Sequence, residues 1–403
     1  MRLVAAASAL VAAAALVVPA AQAKVTGTPP GFVVHYPSGD APDPASLQAV
    51  MSNPAVSAIV FERGTQLFST TLFVFKRNDL TLCGVTGDPK DVVLQSTAAH
   101  VFQVEQATGV TFRGLTVATT ATGGTGIFVN AVPDSTMEGF ADDVSVERCV
   151  FSGYVGVQAS VRAKNLSIAD SAFQVGGFSP GSASGGVGVL WEDGPGLFVT
   201  RSRFTTQSGV SAVAGLFVRG AQTPTSEGDR ASHLLITRNS VNGDFAAGFD
   251  LADLNGAAIR QNTIEFPNSV VPGVRGRVGI VVRRAAATQF TEDYSLTRNV
   301  FRRAHYGVWL LGVGAGGVVR NDFHGCGSPQ PDVVGGSGFG DRGGAMRINL
   351  AGRCQTNVSS NDFRGLRSPL SDPAVVMFPA VTPCPGGSNR VDQGRAVFGG
   401  ANP

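Results

Sequence analysis

Charged and aromatic side chains that could do chemistry gather between residues 192 and 309 of this chain. Asp250 and Asp253 lie in FDLAD (249–253), Arg283 and Arg284 are adjacent, and Glu192, Asp193 and Arg219 precede them. Two carboxylates this close can supply hard oxygen ligands for Ca²⁺. A planar guanidinium fits a carboxylate through two parallel hydrogen bonds, so Arg219, Arg283 and Arg284 suit an acidic ligand. His305 and Tyr306, in RRAHYG (302–307), offer acid–base chemistry without a metal. Phe217, Tyr306 and Trp309 offer apolar ring faces to the same ligand. A plainer reading competes: Asp250, Asp253 and the two arginines pair with one another as surface ions.

These residues take their places from a repeat. YSLTRNVF (294–301) has relatives in VSVERCVF (144–151), LSIADSAF (166–173), LFVTRSRF (197–204), LLITRNSV (234–241), AAIRQNTI (257–264), GVVRNDF (317–323) and TNVSSNDF (356–363). Phe151 and Phe173 are 22 residues apart, as are Phe301 and Phe323. We take that spacing as the bare coil and longer spacings as loop insertions. A second apolar run follows each first one: GIFV (126–129), GVQA (156–159), GVLW (188–191), GLFV (215–218), GFDL (248–251), GIVV (279–282), GVWL (307–310) and AMRI (345–348). Both runs alternate with period two and favour β-branched and aromatic residues, which predicts strands. Helical repeats need about 33–47 residues, so the unit is too short for a helical solenoid.

The pattern resembles the right-handed parallel β-helix proteins of the pectate-lyase-like superfamily, over roughly residues 55–365. The resemblance implies an all-β fold, a single-stranded right-handed parallel β-helix (solenoid), here with an N-terminal cap helix. Asn239, Asn262, Asn299, Asn321 and Asn361 are then expected to stack at one tight bend as an amide ladder, with asparagine tolerating the left-handed conformation there. The phenylalanines form a stacked core row. In the second run, the residue between the two inward positions faces out. That column reads Phe128, Gln158, Leu190, Phe217, Asp250, Val281, Trp309, Arg347; two residues on it reads Asn130, Ser160, Glu192, Arg219, Ala252, Arg283, Leu311, Asn349.

Enzymes of this superfamily bind anionic sugar chains across the middle coils. By resemblance, Asp250 and Asp253 would hold Ca²⁺, and Arg283 or Arg284 would take the proton alpha to the uronate carboxylate, with His305 the metal-free alternative. Phe217, Arg219, Tyr306 and Trp309 would bind the substrate. The chain lacks the paired Asp with Gly-His-Gly of polygalacturonases and the Asp-Pro-His-Asp of mannuronan epimerases. The expected function is binding or processing of acidic polysaccharide or another glycan, by β-elimination if catalytic. The alternatives are a non-catalytic surface or adhesion β-helix and an envelope-accessory one. Insertions at 130–143, 219–233 and 283–293 follow the second run, and those at 174–187, 265–278 and 324–344 precede it. They would wall a groove floored by Phe217, Asp250 and Trp309.

Residues 1–23 carry one Arg, an apolar stretch and Ala-x-Ala at 21–23, the pattern of an export signal. The expected organisation is therefore signal 1–23, lead-in and cap 24–54 with a helix in 45–54, β-helix 55–365, and C-terminal cap or tail 366–403. The protein is expected to be periplasmic or extracellular, with no membrane span. A net charge of +2 does not suggest nucleic acid. Five cysteines leave at least one unpaired. Cys149, at the Asn position of its repeat, reads as a buried thiol; one bridge is expected among Cys326, Cys354 and Cys384. The sequence leaves the oligomeric state open.

Overall fold

The computed structural model describes residues 24–26, 32–37, 43–130, 141–159, 163–176, 186–192, 194–219, 231–267, 277–284, 291–327, 343–349, 354–368, 370–378 and 384–400. The segment 1–23, Ser160, Asp193 and most of the insertions lie outside them.

The chain is a parallel β-helix. Each coil lays one strand into each of three sheets, of 13, 9 and 12 strands among the described residues. One coil runs Glu292–Thr297 (first sheet), Val300–Arg302 (second) and Tyr306–Leu311 (third), and returns at Gly316–Val319. The octapeptide repeat therefore spans two strands with a corner between them. Coils stack in register, so Ile259, Leu296 and Val318 form one inward column. Alternation buries every second residue along Tyr294–Leu296 and leaves Ser295 and Thr297 partly exposed.

The corner between the first and second sheets sets this register. The Asn239 amide nitrogen donates to Asn262 Oδ1 at 3.0 Å and to the Val199 carbonyl at 2.9 Å, and the same pattern repeats through Asn262, Asn299, Asn321 and Asn361. Toward the N-terminus the hydroxyls of Ser202 and Ser171 take the same place, ending on the Cys149 backbone. These amides are buried, where an unpaired polar group is costly, so the ladder ties neighbouring coils together. One expectation is corrected: the ladder residue is not the left-handed one. The residue before it is, with φ of 57° at Arg238, 54° at Arg298 and 58° at Arg320. That geometry makes the chain turn while the next side chain, the amide, points inward.

The phenylalanine row is present, with Phe151, Phe173 and Phe204 stacked at centroid distances of 4.9 Å and Phe301 on Phe323 at 4.9 Å. It explains the glycine second in several third-sheet strands, Gly126, Gly156, Gly188, Gly279 and Gly307. A Cβ on Gly279 would lie 2.4 Å from the Phe301 ring and one on Gly307 2.4 Å from Phe323. These glycines serve close approach to a ring rather than a bend.

Both ends extend beyond the repeat as read in sequence. Phe32–Tyr36, expected as lead-in loop, is a strand paired in parallel with Val56–Phe61 and buries Val34 and Tyr36. Its alternation is short and sits among proline and glycine, which hid it. A helix, Pro44–Ser52, starts at Asp43, whose carboxylate accepts from the Ala45 N–H, and buries Leu47, Val50 and Met51. Its Gln48 side chain pairs with both backbone groups of Phe73, at 2.8 and 2.7 Å. Phe73 belongs to the outermost strand of the third sheet, Leu72–Phe75. At the other end, Asn389 adds a rung to the ladder, and Val375–Phe378 and Phe398–Gly400 add strands to the third sheet. A disulfide joins Cys354 to Cys384; closing a loop of this length contributes about 3–4 kcal/mol in the chain-entropy model. Cys83, Cys149 and Cys326 are buried thiols, and burial pushes Cys149 and Cys326 up to about 12. None of the described helices is long and apolar enough to cross a membrane.

Replacing Gly307 by Ala is expected to lower stability by about 1–3 kcal/mol through overpacking on Phe323. Adding Phe323→Leu should recover part of the loss. Denaturant unfolding of both variants checks this; a neutral Gly307→Ala would show that the ring gives way freely.

Candidate functional site

The outward columns read from the sequence are the columns of the third sheet. Phe128, Gln158, Leu190, Phe217, Asp250, Val281, Trp309 and Arg347 are paired in that order across adjacent strands. Glu192 pairs with Arg219 in the second column, and Ala252, Arg283, Leu311 and Asn349 follow each other. The in-register strands therefore bring together side chains that are 20 to 40 residues apart in sequence.

Two ion pairs cross between neighbouring coils here. Arg283 clasps Asp250 with Nε to Oδ1 at 2.7 Å and Nη2 to Oδ2 at 3.3 Å, and its guanidinium sits 5.6 Å from the centre of the Phe217 ring. Arg219 donates to Glu192 in the same sense. Both pairs are partly exposed, so their net contribution to stability is small. They set the orientation of the arginines instead. The plainer reading of Asp250 and Arg283 as a cross-coil ion pair thus describes their geometry.

Asp253 is placed elsewhere. It follows the strand Phe245–Ala252 at the corner into the first sheet, with φ of 57° and 2% exposure. Asp250 faces out on the sheet with both carboxylate oxygens on Arg283. The two residues do not form a shared Ca²⁺ donor set, and no group of three or more His, Cys, Asp or Glu suited to a metal occurs among the described residues. Arg284 follows Arg283 beyond the end of its strand and is partly exposed, its N–H bonded to the Leu311 carbonyl.

Towards the C-terminal coils the face is aromatic. Tyr306 is buried in an outer apolar cluster with Ala247, Val278, Val281 and Val376, separate from the core, and Trp309 packs on its edge. His305 meets Tyr306 edge-on at 4.8 Å and is 6% exposed. Tyr306 and His305 are therefore packing residues of the face, with Trp309 partly exposed beside them. Two residues outside the expected site complete it. The Arg347 guanidinium lies 5.7 Å from the Trp309 ring and 5.9 Å from Tyr306. Asn349 Oδ1 accepts from Trp309 Nε1 at 2.9 Å and from Arg347 Nε at 3.0 Å. Their signal in the sequence was position: they follow Trp309 and Leu311 in the two outward columns. At the opposite end His100 stacks on Phe128 at 4.6 Å, and burial pushes its imidazole below the usual value.

No family model matches the chain, and no curated protein does. Solved structures are similar to it at low identity. An alginate lyase from Paenibacillus sp. str. FPU-7 is 12% identical with a TM-score of 0.46, over 91% of this chain and 98% of that one. The A-module of the mannuronan C-5 epimerase AlgE4 from Azotobacter vinelandii is 12% identical with a TM-score of 0.46, over 89% and 96%. PfbA, a surface adhesin of Streptococcus pneumoniae, is 14% identical with a TM-score of 0.47, over 79% and 86%. A likeness of this degree says nothing about activity.

Proposed function

We propose that this chain binds an extended acidic polysaccharide along the outer face of the third sheet, at the coils carrying Phe217, Asp250, Arg283, Trp309 and Arg347. The observation that carries the reading is the coupling of cation to ring at two places on one face. Arg283 lies over Phe217, and Arg347 lies against Trp309. A ring face stacks on the apolar side of a pyranose, and the partly exposed Arg283 guanidinium beside it takes the uronate carboxylate, while Arg347, 7% exposed, backs Trp309 from within the sheet. Strand spacing of about 4.8 Å repeats such contacts along the helix axis. Export through segment 1–23, to the periplasm or beyond, belongs to the same proposal. So does a capping role for the helix Pro44–Ser52, supported by the Gln48 pairing that occupies the backbone of the outermost strand.

Binding is favoured over turnover. β-Elimination requires a base aimed at the proton alpha to the carboxylate. Here Arg283 is engaged by Asp250, and His305 is packed against Tyr306. Asp250 has both carboxylate oxygens on Arg283, which disfavours a Ca²⁺ site there. A second reading, contact with another protein at the first coils, is favoured by Phe73 and Phe75, which are 42% and 46% exposed on the same face.

Trp309→Ala and Phe217→Ala should each weaken binding of oligouronates at least tenfold, about 1.4 kcal/mol, with the fold retained by circular dichroism. Unchanged affinity in both would remove the face as the site. Asp250→Asn releases Arg283 from its internal carboxylate and should tighten oligouronate binding several-fold by titration calorimetry. Weaker binding would mean that Asp250 itself contacts the sugar. Incubating residues 24–403 with uronate polysaccharides, with and without calcium, should leave the ultraviolet absorbance of unsaturated product flat; a calcium-dependent rise would replace the binder with a lyase.

A further inference from the structure

We infer that the corner between the first and second sheets is a second docking surface, an arginine rail formed by Arg203, Arg238, Arg260, Arg298 and Arg320 that holds a linear polycarboxylate of the uronate type along the helix axis. It extends the glycan reading to a surface remote in the coil from the third-sheet face and does not depend on that face being a site.

The backbone supplies the first reason. The residue before each ladder position is left-handed: Arg201, Arg238, Arg298 and Arg320 have φ between 48° and 58°. This conformation costs an ordinary L-residue about 1–2 kcal/mol, a cost that glycine avoids and asparagine or aspartate softens. Other coils place Asp170, Gln261 or Ser360 at the same corner, so the turn does not require arginine. Repeated use of a long cation at an unfavourable backbone position points to what the side chain meets outside.

The second reason is charge. All five rail arginines are exposed. Arg201, beside them, is bound through two 2.7 Å contacts to Asp170, and its hydrogen bonds hold that carboxyl below the usual range. Among the described residues the Arg238 side chain donates to the neutral Gln261, at 3.3 Å, and makes no ion pair. Arg203, Arg260, Arg298 and Arg320 make no ion pair among the described residues. The nearby Asp322 is taken by Arg302 at 2.7 Å, and Glu265 by Arg303. The rail therefore carries uncompensated positive charge on a protein whose net charge is only +2.

Register supplies the third. Arg203 pairs with Ser240 and Thr237 with Arg260, which pairs with Thr297. Five successive coils, about 4.8 Å apart, thus each present an arginine at or beside the corner: Arg238, Arg298 and Arg320 at the left-handed position, Arg260 in the column just before it on the first sheet, and Arg203 in the column just after the ladder on the second. A polyuronate carries one carboxylate per pyranose, a ring whose length is comparable to that step. The outward positions flanking the rail are largely hydroxyl-bearing, among them Thr237, Thr297, Ser240 and Thr263, which suit sugar hydroxyls. Among the described residues the directly flanking columns carry no aromatic ring on which nucleic-acid bases could stack, and their apolar members are the small Val300 and Val319; Phe198 and Leu235 lie one outward position further along the first sheet.

The test is the triple variant Arg238→Asn, Arg298→Asn, Arg320→Asn. Asparagine accepts the left-handed backbone, so unfolding stability should be retained. Fluorescence anisotropy with a labelled oligouronate long enough to span five coils, over a series of salt concentrations, reads the interaction. The parent should bind in a salt-sensitive way, and the triple variant should lose at least tenfold in affinity with a shallower salt dependence. A charge-matched oligothymidylate and anionic phospholipid vesicles should bind the parent at least tenfold more weakly than the oligouronate. Parent-like affinity in the triple variant overturns the rail, as does equal binding of the oligothymidylate or the vesicles. Trp309→Ala separates the two surfaces: loss there with none in the triple variant leaves only the third-sheet face, and the reverse leaves only the rail.

Discussion

Backbone hydrogen bonding between coils holds equivalent residues about 4.8 Å apart, and everything on the surface of this protein follows from that spacing. A side chain here belongs to a column before it belongs to a loop or a strand. The amides from Asn239 to Asn389 show the constraint most clearly, because each closes its bonds on the next rung and on a carbonyl of the coil behind. A shift of one coil by one residue would unpair buried amides and turn the inward Leu296 outward.

The same spacing decides how charges behave. Opposite charges placed one coil apart find each other, as in Glu192 with Arg219 and Asp250 with Arg283. Like charges placed one coil apart remain open to solvent, as along Arg298 and Arg320. The third-sheet face and the corner rail are thus two outcomes of one geometry. On the face, pairing with Asp250 holds Arg283 over a ring; on the corner, Arg298 and Arg320 meet no such carboxylate among the described residues.

Packing makes the face rigid. The ring row inside, from Phe151 to Phe204 and again from Phe301 to Phe363, leaves no room for a Cβ at the glycines second in several third-sheet strands. The outer residues that follow, such as Trp309 after Gly307, are therefore held close to the core by their own strand. A surface positioned this way presents its rings with little motion to lose on binding.

The amino-acid sequence by itself determined the coil, the inward and outward alternation, the amide ladder, the phenylalanine row and the two outward columns, because period-two patterning and stacking are local rules repeated in every coil. It also placed Arg347 and Asn349 in the right columns. Only the tertiary structure decided which charges meet. Asp250 and Asp253 are close in sequence, yet one faces out onto Arg283 and the other sits in a buried corner, because Asp253 is itself left-handed and ends the strand's alternation. Likewise Tyr306 and His305 read as exposed chemistry and proved to be packing, since burial depends on what lies across neighbouring coils. The choice of Cys384 over Cys326 as the partner of Cys354 has the same origin. It depends on how the last coils close, beyond the point where the repeat is legible.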